Sequence, residues 1–292
     1  VPRPDLLAIV NCNTDSFSDP HDRNDVTEHL AFARRLLADG ATMVDLGAQS
    51  ATTDIPAEDP ADEVAVLVPV VEQLHRETTV SVDTYKVAVA GPVLAAGAQV
   101  LNDYSGLSEP DVAGLVADAG ATYVLTHNEG RPKQRLTDAT RYDDVLDAVT
   151  RFCEQRLEQC VAAGLDPADV WIDPGVDLSK TPAQTLQMLR GTQTLLDRFD
   201  GRLLLAISRK DVLGAALQRA PRQRDAGTLA LVAWLVANVD APERLVLRLH
   251  DPGAAADVLR TTELLDGGDD LPADAALDPA LFRARPAGAG GQ

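Results

Sequence analysis

The chain is short of aromatic residues, cysteine and positive charge. Aromatics are 4% of 292 residues, so a core drawn from a 45% hydrophobic composition rests on Val, Leu, Ile and Ala. Lys and Arg number 26 against 45 Asp and Glu, a formal net charge of −19. That balance excludes a nucleic-acid partner, because holding phosphates needs a basic surface, and it favours solubility. Cys12, Cys153 and Cys160 are an odd set without metal-ligand spacing. They imply a reduced, cytoplasmic setting rather than a disulfide framework. Cys153 and Cys160 fall on one side of a helical pattern and read as packing residues. No run of about 18 uncharged apolar residues occurs, so no membrane partner is expected. The segment Val1–Asp5 leads straight into a strand pattern, and no signal peptide is read there.

What the chain does have is alternation. Strand-like runs at Leu6–Val10, Met43–Leu46, Val80–Val82, Val100-Leu101, Thr122–Leu125, Val170–Ile172, Leu203–Ile207 and Leu245–Leu249 are each followed by a helical pattern. The spacing predicts helices over Val26–Asp39, with Leu30, Ala33, Leu36 and Leu37 on one face, and over Pro60–His75, with Val64, Leu67, Val68 and Val71 inward. It predicts another over Tyr142–Ala163, and a single one over Pro182–Leu196 begun by Thr181-Pro182. Eight such units fit a single-domain α/β protein, a (β/α)8 barrel over residues 1–266. A doubly wound sheet has the same alternation and stays open on periodicity alone. Residues 267–292 are rich in Gly, Pro, Asp and Ala and read as a flexible C-terminal tail.

In either fold the functional edge lies at the C-terminal ends of the strands. Those ends carry Asn11, Gly47-Ala48-Gln49, Asp83, Asn102, His127, Asp173, Lys210, and Arg248 with His250. Each alone has an ordinary reading: Asp83 as a helix cap, Asn102 and Asp173 as turn residues, His127 as a core residue. Together they suit a ligand with two halves. Asp83, Asn102 and Asp173 can pair with the N–H edges of a flat heterocycle, and Lys210 with a ring oxygen or nitrogen. Arg248 can stack on the ring. Asn11, Arg248 and His250 can hold an anionic group such as phosphate.

The motifs that carry these residues resemble the dihydropteroate synthase family, a pterin-binding superfamily. Asn11-Cys-Asn-Thr-Asp15-Ser-Phe-Ser-Asp19 is similar to its N-x-T-P-D-S-F-S-D, and Asp45-Leu-Gly-Ala-Gln-Ser50 to its D-V-G-G-E-S. Ser81-Val-Asp-Thr-Tyr-Lys86, Leu101-Asn-Asp103, Ile172-Asp-Pro-Gly175, Lys180-Thr-Pro182, Ser208-Arg-Lys210 and Arg248-Leu-His-Asp251 follow in order. The resemblance runs from Leu6 to Leu265. It implies a TIM barrel, usually a homodimer, joining 6-hydroxymethyl-7,8-dihydropterin diphosphate to p-aminobenzoate with Mg²⁺ on the diphosphate. It implies Asp83, Asn102, Asp173, Lys210 and Arg248 as pterin-binding residues and Asn11, Arg248 and His250 as phosphate-binding residues. Lys210, Arg248 and His250 would carry the catalysis, and Asn11 would meet the metal.

The departures fall where the family holds p-aminobenzoate. Its E-S-T-R-P-G loop is here Gln49-Ser50-Ala51-Thr52-Thr53-Asp54. Its D-P-G-x-G-F-x-K is Asp173-Pro-Gly-Val-Asp177-Leu178-Ser-Lys180, with Leu178 for the aromatic. Its S-R-K-S is Ser208-Arg-Lys-Asp211, where the family's last serine meets the acceptor carboxylate. An anion at 211 is expected to repel a carboxylate by about 1 kcal/mol, although an aspartate also suits a helix start. Ala51, Thr52, Thr53, Leu178, Ser208 and Asp211 thus mark an altered second-substrate site. The expected function is a pterin-binding transferase using a pterin or reduced folate with an unidentified second substrate. The alternatives are a true dihydropteroate synthase and a folate-dependent one-carbon transferase.

Overall fold

The computed structural model describes residues 2–12, 26–49, 58–130, 138–267, 271 and 275. Its strands are β1 (Asp5–Asn11), β2 (Met43–Gly47), β3 (Thr79–Asp83), β4 (Val100–Asp103), β5 (Thr122–Thr126), β6 (Val170–Asp173), β7 (Leu203–Leu205) and β8 (Leu245–Leu249). Each pairs in parallel with the next, and β8 pairs back onto β1. The alternation therefore resolves to a closed (β/α)8 barrel rather than an open sheet. The helices outside it are α1 (Val26–Ala38), α2 (Pro60–Leu74), α3 (Val87–Ala95), α4 (Asp111–Ala119), α5 (Val145–Ala162), α6 (Pro182–Arg190), α7 (Thr192–Arg198), α8 (Asp211–Leu217), α9 (Asp225–Ala237) and α10 (Pro252–Leu265). Among the described residues, no helix is long and apolar enough to cross a membrane.

The two-residue period of the strands builds the site. Side chains of successive strand residues face opposite sides. Leu7, Met43, Val100, Val124, Trp171, Leu204 and Val246 form one apolar cluster inside the barrel. The alternate set, including Ala8, Val44, Val82, Leu101, Leu125, Ile172, Leu205 and Leu247, belongs to the larger core shared with the helices. Two residues beyond the inner apolar layer come Asp45, Asn102, Thr126, Asp173 and Arg248, with Ser81 and Asp83 on the same face of β3. The barrel interior is thus dry below and polar at its C-terminal mouth.

Local chemistry sets several helix starts. Asp59 accepts the Ala61 N–H at 2.8 Å ahead of Pro60, and Thr181 and Gln184 make a reciprocal capping box around Pro182. The expected helix over Tyr142–Ala163 begins later, at Val145, because Asp144 accepts the N–H groups of Leu146 and Asp147. The single helix expected over Pro182–Leu196 is two, broken at Gly191. That residue lies against Leu146 of α5, where an added Cβ would come within 2.7 Å. The strand expected to reach Ile207 ends at Leu205, since the Ile207 N–H turns back to the Leu205 carbonyl. In α2 the fully buried face is Leu67, Val70, Val71 and Leu74, with Val64 and Val68 only partly covered. The shift accommodates Glu63, which is buried in an ion pair with Lys86. The tail expected from residue 267 lies outside the described residues, apart from Gly267, Leu271 and Ala275.

Candidate active site

Asp45 ties one half of the mouth together. It is fully buried on β2. Its Oδ1 accepts the Ser81 hydroxyl at 2.6 Å. Its Oδ2 accepts the Asn102 Nδ2–H at 3.0 Å and the Arg248 Nε–H at 2.5 Å. Arg248 also donates through Nη2 to Asp83 Oδ2 at 2.7 Å. One guanidinium therefore spans two carboxylates and links β8 to β2 and β3. With its amide nitrogen on Asp45, Asn102 keeps its oxygen for a donor.

Asp83 is the member of this group poised to change state. Its Oδ1 is buried with no hydrogen-bond partner among the described residues. Desolvation pushes its carboxyl up to about 7, against the pull of Arg248 and with a further push from Asp45. A carboxyl in that range can accept a hydrogen bond as an anion or donate one as an acid.

The other half of the mouth is built around the loop after β6. The Asp173 carboxylate accepts the Gly175 N–H at 2.7 Å. Burial raises the Asp173 pKa, opposed by that hydrogen bond and by Lys210. Lys210 precedes α8 and donates to the Val176 carbonyl at 3.2 Å. Desolvation lowers the Lys210 pKa, with Asp177 and Asp173 as the opposing charges. Burial and the charges of Arg209, Arg248 and Lys210 pull His250 down to about 4, so its ring is neutral at pH 7.

The structure thus brings Asp83, Asn102 and Arg248 together through Asp45, and Asp173 and Lys210 together through the 175–176 turn. His250 is held at Nδ1, 2.8 Å from Ser208 Oγ. Asn11 stands exposed at the end of β1, level with Gly47. Leu178 is half-buried in the β6 loop, its N–H on the Gly175 carbonyl. Ala51, Thr52 and Thr53 lie outside the described residues.

Asp211 needs a correction. It is the first residue of α8, and its Oδ1 accepts from Arg224 Nη1 at 3.0 Å. The repulsion expected from its charge is therefore largely offset by a cation. The anion at the helix start is instead Asp177, whose carboxylate accepts the Asp211 N–H. Asp45, Ser81, Asp177 and Lys180 were not singled out as site residues from the sequence. Marking every second residue inward from Met43 would have found Asp45, because it shares that face of β2.

Comparison with known proteins agrees with this fold. The Pterin binding enzyme family matches residues 7–240. A dihydropteroate synthase of Mycobacterium leprae is 34% identical over 263 residues, 87% of this chain and 91% of that one. One from Escherichia coli K12 is 29% identical over 262 residues, 89% and 91% of the two chains. Among solved structures, a Xanthomonas albilineans dihydropteroate synthase with 4-aminobenzoic acid has a TM-score of 0.80 at 33% identity. It covers 90% of this chain and 93% of its own. A Yersinia pestis dihydropteroate synthase with a sulfonamide drug complex has a TM-score of 0.82 at 32% identity, covering 91% and 95%.

Proposed function

Since this chain belongs to the dihydropteroate synthase family of pterin-binding enzymes, we propose that it is a pterin-dependent transferase whose second substrate is not p-aminobenzoate. The observation that carries this reading is the start of α8. By the family resemblance a serine there receives the acceptor's carboxylate. Here residue 211 is an aspartate engaged with Arg224, and the first amide of α8 is taken by the Asp177 carboxylate. An acceptor carboxylate would find that amide already occupied, with the Asp177 anion beside it.

The donor half of the reaction keeps its groups. In this reading Asp83, Asn102, Asp173 and Lys210 hold the pterin edge, the carboxylates accepting ring N–H and amino hydrogens. Arg248 leaves part of its grip on Asp83 to meet the ring face and the phosphates. With Lys210 and a hydrogen bond from His250, it would stabilise charge on a departing diphosphate. Among the described residues no three His, Cys, Asp or Glu side chains are grouped to hold a metal. The exposed Asn11 amide suits a Mg²⁺ ion held mainly by diphosphate oxygens and water. Such an ion would supply charge neutralisation at the leaving group. Leu217 and Trp234, 45% and 39% exposed on α8 and α9, suit the homodimer implied by the resemblance.

A second reading, true dihydropteroate synthase activity, is favoured by identity of 29–34% to curated synthases across about nine-tenths of their length. A mass-spectrometric acceptor screen separates the two. The protein is incubated with pterin diphosphate and, in turn, p-aminobenzoate, neutral and cationic arylamines, and tetrahydrofolate. Our reading expects a new pterin adduct with a non-carboxylate amine and little dihydropteroate. Dihydropteroate as the main product would support the second reading. A product formed from tetrahydrofolate without pyrophosphate would mark a one-carbon transferase.

A further inference from the structure

A second buried network lies behind the β6 loop and meets the pterin donor set at a backbone contact, the His127 N–H on the Asp173 carbonyl at 2.7 Å. Lys180 is 1% exposed and His127 is fully buried. Lys180 Nζ lies 2.8 Å from His127 Nδ1, and it donates to the carbonyls of Gly175 at 3.0 Å and Leu178 at 3.1 Å. Lys180 Nζ thus faces three acceptors, while burial lowers its pKa to about 7 against the pull of Asp173. Burial, then the neighbouring Lys180 charge, drives the His127 pKa well below its ordinary value, so the ring is neutral, and in its Nε2–H tautomer Nδ1 accepts from Lys180.

The loop held in this way is under backbone strain. Gly175, Asp177 and Ser179 all have positive φ, at 71°, 63° and 52°. For Asp177 and Ser179 the left-handed conformation is unfavourable, and it persists only where surroundings over-determine it. Lys180 supplies two of those constraints from inside. Ser179 supplies others, accepting the N–H groups of Glu129 and Gly130 and donating to Asn128.

The outer side of the same loop sets the candidate active site. Val176 offers its carbonyl to Lys210, Asp177 takes the Asp211 N–H, and Gly175 donates to Asp173. We propose that Lys180 is a positioning residue: from inside the fold it fixes the shape of residues 175–178, and through Val176 and Asp177 it fixes Lys210 and the start of α8 for ligand binding. Its consequence for ligands rests on the pterin reading above, whereas its effect on the loop does not.

Two measurements on the full chain test this separately. In the free protein, Lys180→Met should speed hydrogen exchange at the amides of Gly175 and Asp211 while the β2 and β5 amides stay protected. Exchange unchanged at both amides overturns the proposal. For binding, the probes are 6-hydroxymethylpterin and inorganic pyrophosphate in a calorimeter. Lys180→Met should weaken the pterin about 10-fold, but less than about 2-fold once Lys210 is already Ala, because neighbours acting through one contact are non-additive. Pyrophosphate, which Lys210 would also meet, should weaken in the single variant and no further once Lys210 is Ala. Equal loss in both backgrounds would mean general destabilisation and overturns the positioning role. Should Lys180→Met not fold, His127→Leu removes one of the three acceptors and is expected to act in the same direction. If the native chain binds no pterin, the pterin reading falls, while hydrogen exchange still decides the brace.

Discussion

Replacing Asp45 by Asn tests how the mouth is held together. Asp45 is fully buried and accepts from Ser81, Asn102 and Arg248. Asparagine keeps the shape but loses the charge, and it turns an N–H₂ group toward one set of donors. Removing one partner of a buried ion pair costs about 3–5 kcal/mol. Arg248 retains Asp83, so its charge is not stranded, and the expected loss sits near the lower end, about 3 kcal/mol. At roughly 2–4 °C per kcal/mol for a large domain, thermal unfolding should fall by about 6–12 °C. Pterin affinity should fall with it, because Asn102 and Arg248 lose the group that orients them. The assays are calorimetric melting and pterin titration. A melting temperature within about 2 °C of the native value, against the scale above, together with unchanged pterin affinity, would refute the role given to Asp45.

Two further outcomes follow from the same geometry. Asp83 has a folded-state pKa near 7, above the value of about 4 expected when unfolded. Between those values the folded chain keeps a proton that the unfolded chain has released, so stability falls as pH rises through the window and levels above it. Urea unfolding across that range should show this fall in the native chain, and Asp83→Asn should remove it; the same slope in both would exclude Asp83 as its source. Gly175→Ala should be far more damaging than Gly267→Ala. Both glycines have positive φ, but a Cβ at 175 would stand 2.1 Å from the His127 carbonyl oxygen, and one at 267 would meet nothing within 4 Å among the described residues. Comparable melting temperatures for the two variants would contradict the close approach of the two backbones.

The barrel was legible because its signals are local. Strand β8 appears at Leu245–Leu249 as the alternation indicates, and Asp83 and Asn102 are linked through Asp45 and Arg248 at the C-terminal end of the barrel, whereas His127 packs on Lys180 behind the β6 loop. What was not legible depends on distant partners. The break between α6 and α7 at Gly191 is tied to Leu146, far away in the chain. Asp45 was hidden because it lies inside a strand rather than at its end, so only the two-residue period exposes it. Asp211 looked like a bare anion because Arg224, its partner, lies beyond α8 and an irregular connection. Asp177 gave no sign of reaching the Asp211 amide, since that contact joins two separate strand-end loops. Periodicity finds faces, whereas ion-pair partners are set by closure of the barrel.

The central claim is that this barrel keeps the pterin donor chemistry and has lost the p-aminobenzoate acceptor. The direct measurement is dihydropteroate formation from 6-hydroxymethyl-7,8-dihydropterin diphosphate and p-aminobenzoate, assayed beside the Escherichia coli relative, with pterin binding measured on the same samples. This chain should bind the pterin but form little dihydropteroate, and Asp177→Gly with Asp211→Ser should raise the yield. Dihydropteroate formed by the native chain at the rate of the Escherichia coli enzyme would contradict the claim.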